Sequence, residues 1–117
     1  MINNDESLLF SCSGCADVGE IADRSSRLVS KENPSVKFFC LAGIAAGIPG
    51  IVDKTKKTPK RIVVDGCNLD CGKKIFQNAG LSDFISIRIT DTGLVKGATP
   101  VDEKNISDIA LLIKTKI

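Results

Sequence analysis

The chain has 117 residues, 26% of them charged and 43% apolar, with a formal net charge of +2 and no histidine. That length suits a single domain, 1–117, which can bury one core without disulfide staples, and so mild a charge argues against a nucleic-acid partner. Imidazole ligation is excluded, which leaves five cysteines as the soft donors of the chain.

The opening residues, Met1-Ile2-Asn3-Asn4-Asp5-Glu6, are polar and acidic, unlike the basic and then apolar order of a secretory signal, so a cytoplasmic location is expected. In a reducing compartment, cysteines read as ligands, redox groups or small buried hydrophobes before they read as disulfides. Ser7 to Ser11 is a short apolar strand, followed by the small-residue turn Cys12-Ser13-Gly14-Cys15. A helix is expected from Asp17, with Asp17 and Glu20 as a capping pair and Val18, Ile21, Ala22, Leu28 and Val29 along its buried face. Asn33-Pro34-Ser35 breaks it and leads into a second strand, Val36 to Phe39, that ends at Cys40.

The apolar middle, Phe38 to Val52, runs 15 residues without a charge but is interrupted by three glycines and Pro49. It falls short of the roughly 20 residues that span a bilayer, so no membrane partner is expected. Leu41 to Gly47 reads as a tight turn or a short helix, and Pro49 as the first residue of a helix to about Lys57. The glycines from 43 to 50 lack the Gly-Lys-Ser/Thr ending of a phosphate-binding loop. Lys54, Lys56, Lys57, Lys60 and Arg61 read as a solvated helix end and loop, with an anion contact as the weaker alternative.

Arg61 to Val64 is the third strand, and its β-branched run Ile62 to Val64 reads as buried on both faces. Cys67 falls where that strand ends and Cys71 about one helical turn later, on a helix that also carries Ile75, Phe76 and Ala79 inward before Gly80 ends it. Phe84 to Ile89 alternates apolar and polar and reads as an edge strand, with a turn at Asp91-Thr92-Gly93. Thr99-Pro100 opens the last helix, with Asp102 near its N-terminus and Ile106, Ile109, Ala110, Ile113 and Ile117 as its buried stripe.

Strand and helix therefore alternate, the pattern of an α/β fold: one three-layer α/β/α domain with a mainly parallel sheet of about four strands in the order 2-1-3-4. In that order the crevice lies at the carboxyl ends of the strands, where the connection switches sides, and all five cysteines map to it. Neighbouring strands lie roughly 4.8 Å apart, so Cys12 would have Cys40 on one side and Cys67 on the other, with Cys71 closing the fourth side if the loops curl inward. Zinc suits four thiolates, which would bring the formal charge to neutrality. Asp65 and Asp91 stand at the same edge, either to orient the site or to bond the backbone of their turns.

Three ordered motifs, Cys12-Ser13-Gly14-Cys15-Ala16-Asp17-Val18-Gly19-Glu20, Phe39-Cys40-Leu41-Ala42-Gly43-Ile44 and Val64-Asp65-Gly66-Cys67-Asn68-Leu69-Asp70-Cys71, resemble the DGC-domain family of proposed zinc-binding proteins. The likeness extends to Arg88-Ile89-Thr90-Asp91 and Lys96-Gly97. It implies a prokaryotic protein whose cysteines chelate a metal and whose biochemical activity is open. Carried over residue by residue, it implies Cys12, Cys40, Cys67 and Cys71 as ligands, with Cys15 as a ligand, an exchange partner or a resolving thiol.

Two function classes follow from these readings. The first is a metal-binding module in which zinc is structural, sensed or delivered. The second is a thiol oxidoreductase or sulfur-transfer enzyme using Cys12 and Cys15, where a helix start would lower the attacking thiol's pKa. An iron–sulfur cluster is a further alternative for four cysteines. A phosphatase-type loop would need an arginine six residues after Cys12, and that position is Val18.

Overall fold

A computed structural model describes residues 6–117 and shows four parallel strands, β1 (Ser7–Ser11), β2 (Val36–Phe38), β3 (Lys60–Asp65) and β4 (Ile85–Arg88). They lie in the order β2-β1-β3-β4. Burial explains the order. Leu8, Leu9 and Phe10 of β1 and Ile62, Val63 and Val64 of β3 are fully closed off from solvent, so these two strands take the middle of the sheet. They pair in parallel from Ser7↔Lys60 to Ser11↔Val64. Exposed Lys37 in β2 and exposed Ser86 in β4 mark the two edges.

Five helices complete the layers: α1 (Asp17–Glu32), α2 (Leu41–Ala45), α3 (Pro49–Lys57), α4 (Cys71–Asn78) and α5 (Glu103–Lys114). The two-residue period of the strands divides the core. Leu9, Ile62, Val64 and Ile87 face α1 and α5, meeting Val18, Ile21, Val29, Ile109 and Ile113. Leu8, Phe10 and Val63 face the other way, onto Leu41, Ile44 and Phe76 of α2 and α4, and the Phe10 and Phe76 rings meet edge to face at 4.8 Å. Connections between parallel strands must cross the sheet, which is why each strand is followed by a helix and all four point the same way.

Several boundaries move from those expected. Asp17 and Glu20 form no capping pair: Ala16 is the N-cap of α1 without a side-chain bond, Asp17 accepts the N–H of the adjacent Val18 at 2.8 Å, and Glu20 pairs with Arg24 one turn on at 3.3 Å. α5 begins at Glu103, because the Asp102 carboxylate accepts the Asn105 N–H at 2.9 Å and Thr99 is spent closing a turn with Val95. Ile117 lies past the end of that helix and is 40% exposed, so it is not part of the stripe. β2 stops at Phe38, and Phe84 and Ile89 fall outside β4, Ile89 opening a 3₁₀ turn to Thr92 that Gly93 closes at φ 98°.

Two residues of the basic cluster have partners within the fold. Lys54 pairs with Glu6 at 2.6 Å, and the Arg61 guanidinium donates to the carbonyls of Lys56, Thr58 and Asp83, satisfying backbone acceptors where α3 ends. Among the described residues, no helix is long and apolar enough to cross a membrane.

Candidate functional site

Because the strands are parallel, the loops that leave their carboxyl ends share one side of the sheet. Cys12 follows β1 directly, Cys40 and Cys67 each come two residues after β2 and β3, and Cys71 is the first residue of α4. The chain passes from β1 to β2 on one side and then returns to β3 on the other, so Cys12 and Cys67 flank the point where the topology switches.

Cys12 connects the site. Its Sγ accepts the Gly66 N–H at 3.3 Å, tying the end of β1 to the loop that carries Cys67, and both cysteines pack half-buried against the core beneath α1 and α5. Gly66 makes that approach feasible, since a Cβ there would stand 2.8 Å from the backbone of Val18 and Gly19 in the first turn of α1. Burial pushes the Cys12 thiol above its ordinary pKa; the N–H groups of Gly66 and Gly14 pull it back in part, and the nearby Asp65 carboxylate adds to the rise. The direction is opposite to the lowering expected from a helix start.

Cys40 is exposed and caps α2, its Sγ accepting the Gly43 N–H at 3.3 Å. It shares with Cys12 a hollow of about 320 Å³, with Phe38, Asp23 and Arg27 also on its wall. Cys15 is exposed in the loop before α1. Cys71 is exposed as well, whereas the sequence placed it on the inner side of its helix; Gly72 takes the buried position.

The turn from Cys67 to Cys71 is held from two directions. The Asp70 N–H donates to the Cys67 carbonyl at 3.1 Å, and Asp70 has a left-handed backbone, φ 53°. Its carboxylate does not cap α4 but accepts two bonds from Arg88 at the end of β4, Nε at 2.9 Å and Nη2 at 2.5 Å, while Asp91 touches the same guanidinium at 3.3 Å. Arg88 holds the Asp70 carboxyl below its ordinary pKa. The cap of α4 comes from the sheet: Asp65, only 1% exposed, accepts the N–H groups of Gly72 at 2.7 Å and Lys73 at 3.1 Å. Burial nevertheless leaves its carboxyl raised overall. A Cβ on Gly72 would stand 2.6 Å from Val63 Cγ1, so a larger residue there would push α4 away from that carboxylate.

All five expected site cysteines, Cys12, Cys15, Cys40, Cys67 and Cys71, are free thiols on the carboxyl side of the sheet. Cys12 shares a hollow with Cys40 and accepts the N–H of Gly66, the residue before Cys67, while Cys15 and Cys71 are exposed. The donor chemistry fits a soft divalent cation. Among the described residues, however, no three cysteine, aspartate or glutamate side chains stand together in an arrangement that holds a metal ion. The loops do not curl inward to the shared point the sequence suggested.

Sequence reasoning missed the grip of Arg88 on Asp70 and the reach of Asp17, whose carboxylate accepts the N–H groups of Gly97 at 2.9 Å and Thr99 at 3.0 Å. Those two bonds hold the Asp17 carboxyl below its usual range. Neither partnership has a local pattern. The available signal was only that aspartates cluster around the cysteine turns.

The DGC domain matches residues 8–113. A protein of Pseudomonas aeruginosa named "Anaerobic and virulence modulator AnvM" is 24% identical over 89 residues, which cover 76% of this chain and 67% of that protein. No solved structure matches significantly. With the match running from β1 to the last turn of α5, the chain belongs to the DGC domain family.

Proposed function

We propose that the protein binds zinc through Cys12, Cys40, Cys67 and Cys71, as a metal-sensing, metal-delivery or structural module of a prokaryotic cytoplasm, with Cys15 as the spare thiol. The observation that supports this reading is the position of Cys12, which shares a hollow with Cys40 and accepts the N–H of Gly66, the residue before Cys67. Zinc accepts four thiolates in a tetrahedron and supplies a soft centre with no redox step of its own. In this reading the exposed thiols of Cys40 and Cys71 move inward on binding, and the proton that burial keeps on Cys12 is released to solvent. A site closed by four thiolates leaves no position for water, so no hydrolytic activity is expected. The partner is the metal ion itself, and neither nucleic acid nor membrane enters this reading. The naming of a relative as a modulator favours sensing over a purely structural metal.

A second reading rests on the turn between Cys12 and Cys15, one thiol half-buried and one exposed. In a thiol oxidoreductase or sulfur-transfer enzyme the exposed Cys15 would meet the incoming disulfide or persulfide, and Cys12 would resolve it.

Elemental analysis of untagged protein purified without oxygen, with thiols counted on the same sample, separates the two. About one zinc per chain with about one reactive thiol is the expected result. Protein without metal that forms a reversible disulfide between Cys12 and Cys15 would overturn the zinc reading in favour of the second, and brown protein containing iron would replace zinc with an iron–sulfur cluster.

A further inference from the structure

Only two residues other than glycine have a left-handed backbone among the described residues, Ser13 at φ 48° and Asp70 at φ 53°. Each lies between two cysteines, Ser13 within Cys12 to Cys15 and Asp70 within Cys67 to Cys71. Side chains seldom adopt that conformation, and it persists where the surroundings hold it in place. Both residues are held by an acid–arginine pair, and the two pairs stand on opposite flanks of the sheet.

On the β2 flank, Ser13 Oγ donates to Asp23 Oδ1 at 2.8 Å, and Asp23 Oδ2 accepts from Arg27 Nε at 2.9 Å. The Arg27 guanidinium lies over the Phe38 ring, 5.0 Å from its centre, and Phe38 ends β2 two residues before Cys40. One pair thus touches both the Cys12 turn and the strand end that leads to Cys40. On the β4 flank, Arg88 grips the Asp70 carboxylate with two bonds and is itself steadied by Asp91.

We infer that Asp23–Arg27 and Asp70–Arg88 are positioning pairs: they hold the two strained turns so that Cys12 is set against Cys40, and Cys67 against Cys71. The inference rests on the thiols acting together, as the zinc reading requires. An ordinary surface ion pair would contribute little and fix nothing. Two features set these apart. Each pair ends on a strained residue inside a cysteine turn, and the Asp70 side chain is only 15% exposed with two-point contact. Arg27 is 65% exposed, so the β2 pair is the weaker of the two.

Glycine substitutions separate positioning from folding. Asp70→Gly and Ser13→Gly keep the left-handed turn, relieve its strain and delete the gripped side chain. Arg88→Lys keeps the charge and loses the fork. The readout is titration of the reduced full-length chain with Co²⁺, followed by its thiolate-to-metal absorption, beside urea unfolding of the same variants. Asp70→Gly and Arg88→Lys should each weaken Co²⁺ binding by about tenfold, well beyond what any fall in their urea midpoints accounts for, and the double variant should be no weaker than either single one. Ser13→Gly should show a smaller loss.

Variants that bind Co²⁺ as tightly as the wild type, or that lose affinity only in step with stability, would overturn the positioning role while leaving the metal reading intact. A wild-type chain that takes no Co²⁺ would instead count against the metal reading. Positioning is then decided by titration with a trivalent arsenical, which bridges two thiols without a metal. The same tenfold losses would uphold it, and equal binding by all variants would overturn it.

Discussion

Gly66 shows how much a single missing side chain can set. With hydrogen at that position the loop after β3 reaches the first turn of α1, and its N–H reaches the Cys12 sulfur at 3.3 Å. Gly66→Ala should therefore destabilise the protein by about 1–3 kcal/mol in urea unfolding, because the atoms in its way are backbone and cannot rotate aside. The thiols themselves are to be compared as a series. Cys67→Ser and Cys71→Ser should lower zinc retention by more than about tenfold, whereas Cys15→Ser should have a smaller effect. Equal retention across the three, measured by dialysis against a chelator, would remove the ligand assignment. Cys71 also marks a limit of sequence reading: its spacing from Ile75 and Phe76 suggested an inward thiol, but α4 starts at Cys71 after a left-handed residue and turns Gly72 to the core instead.

Two carboxylates brace the start of α4, and they respond to pH in opposite senses. Asp70 has a folded pKa below its unfolded one because of Arg88, so its contribution to stability is complete above the unfolded value of about 3.9 and is lost as pH falls through the lower folded value. Asp65 has a raised folded pKa because burial outweighs its two N–H bonds, so ionisation there costs stability as pH rises through that value. Wild type should lose stability more steeply than Asp70→Asn as pH falls below about 4, with urea midpoints over that acid range as the measurement. An identical slope in the two proteins would show that the Arg88 contact adds nothing in solution. Asp65→Asn keeps one acceptor for two N–H donors and should cost about 1–2 kcal/mol at neutral pH.

At the scale of the whole chain, the architecture was legible because it depends on burial and alternation. The β-branched run Ile62 to Val64 set the centre of the sheet, Lys37 and Ser86 set its edges, and Pro49 marked the start of α3. The carboxyl-edge position of the cysteines followed from that topology. What escaped were contacts between residues far apart in sequence: Asp17 with Gly97 and Thr99, and Asp70 with Arg88. Each was misassigned or passed over because an aspartate near a helix start is ordinarily a local cap, and no pattern within a few residues distinguishes the two uses. If zinc binds only the folded chain, saturation at a hundred times its Kd should add about 2.7 kcal/mol of stability, visible as a higher Tm. An unchanged Tm on zinc addition would mean that the metal does not favour the native state.

The bond between Cys12 and Gly66 spans 54 positions of the chain. During synthesis β1 and its cysteine leave the ribosome before β3 exists, with β2 made between them. Cys12 and Cys15 are then simply two thiols on an unfinished strand. Docking of β3 is the event that brings the Gly66 N–H to the Cys12 sulfur, so this sulfur is held only once the two central strands have paired, and the reactivity of the Cys12 thiol reports whether they have.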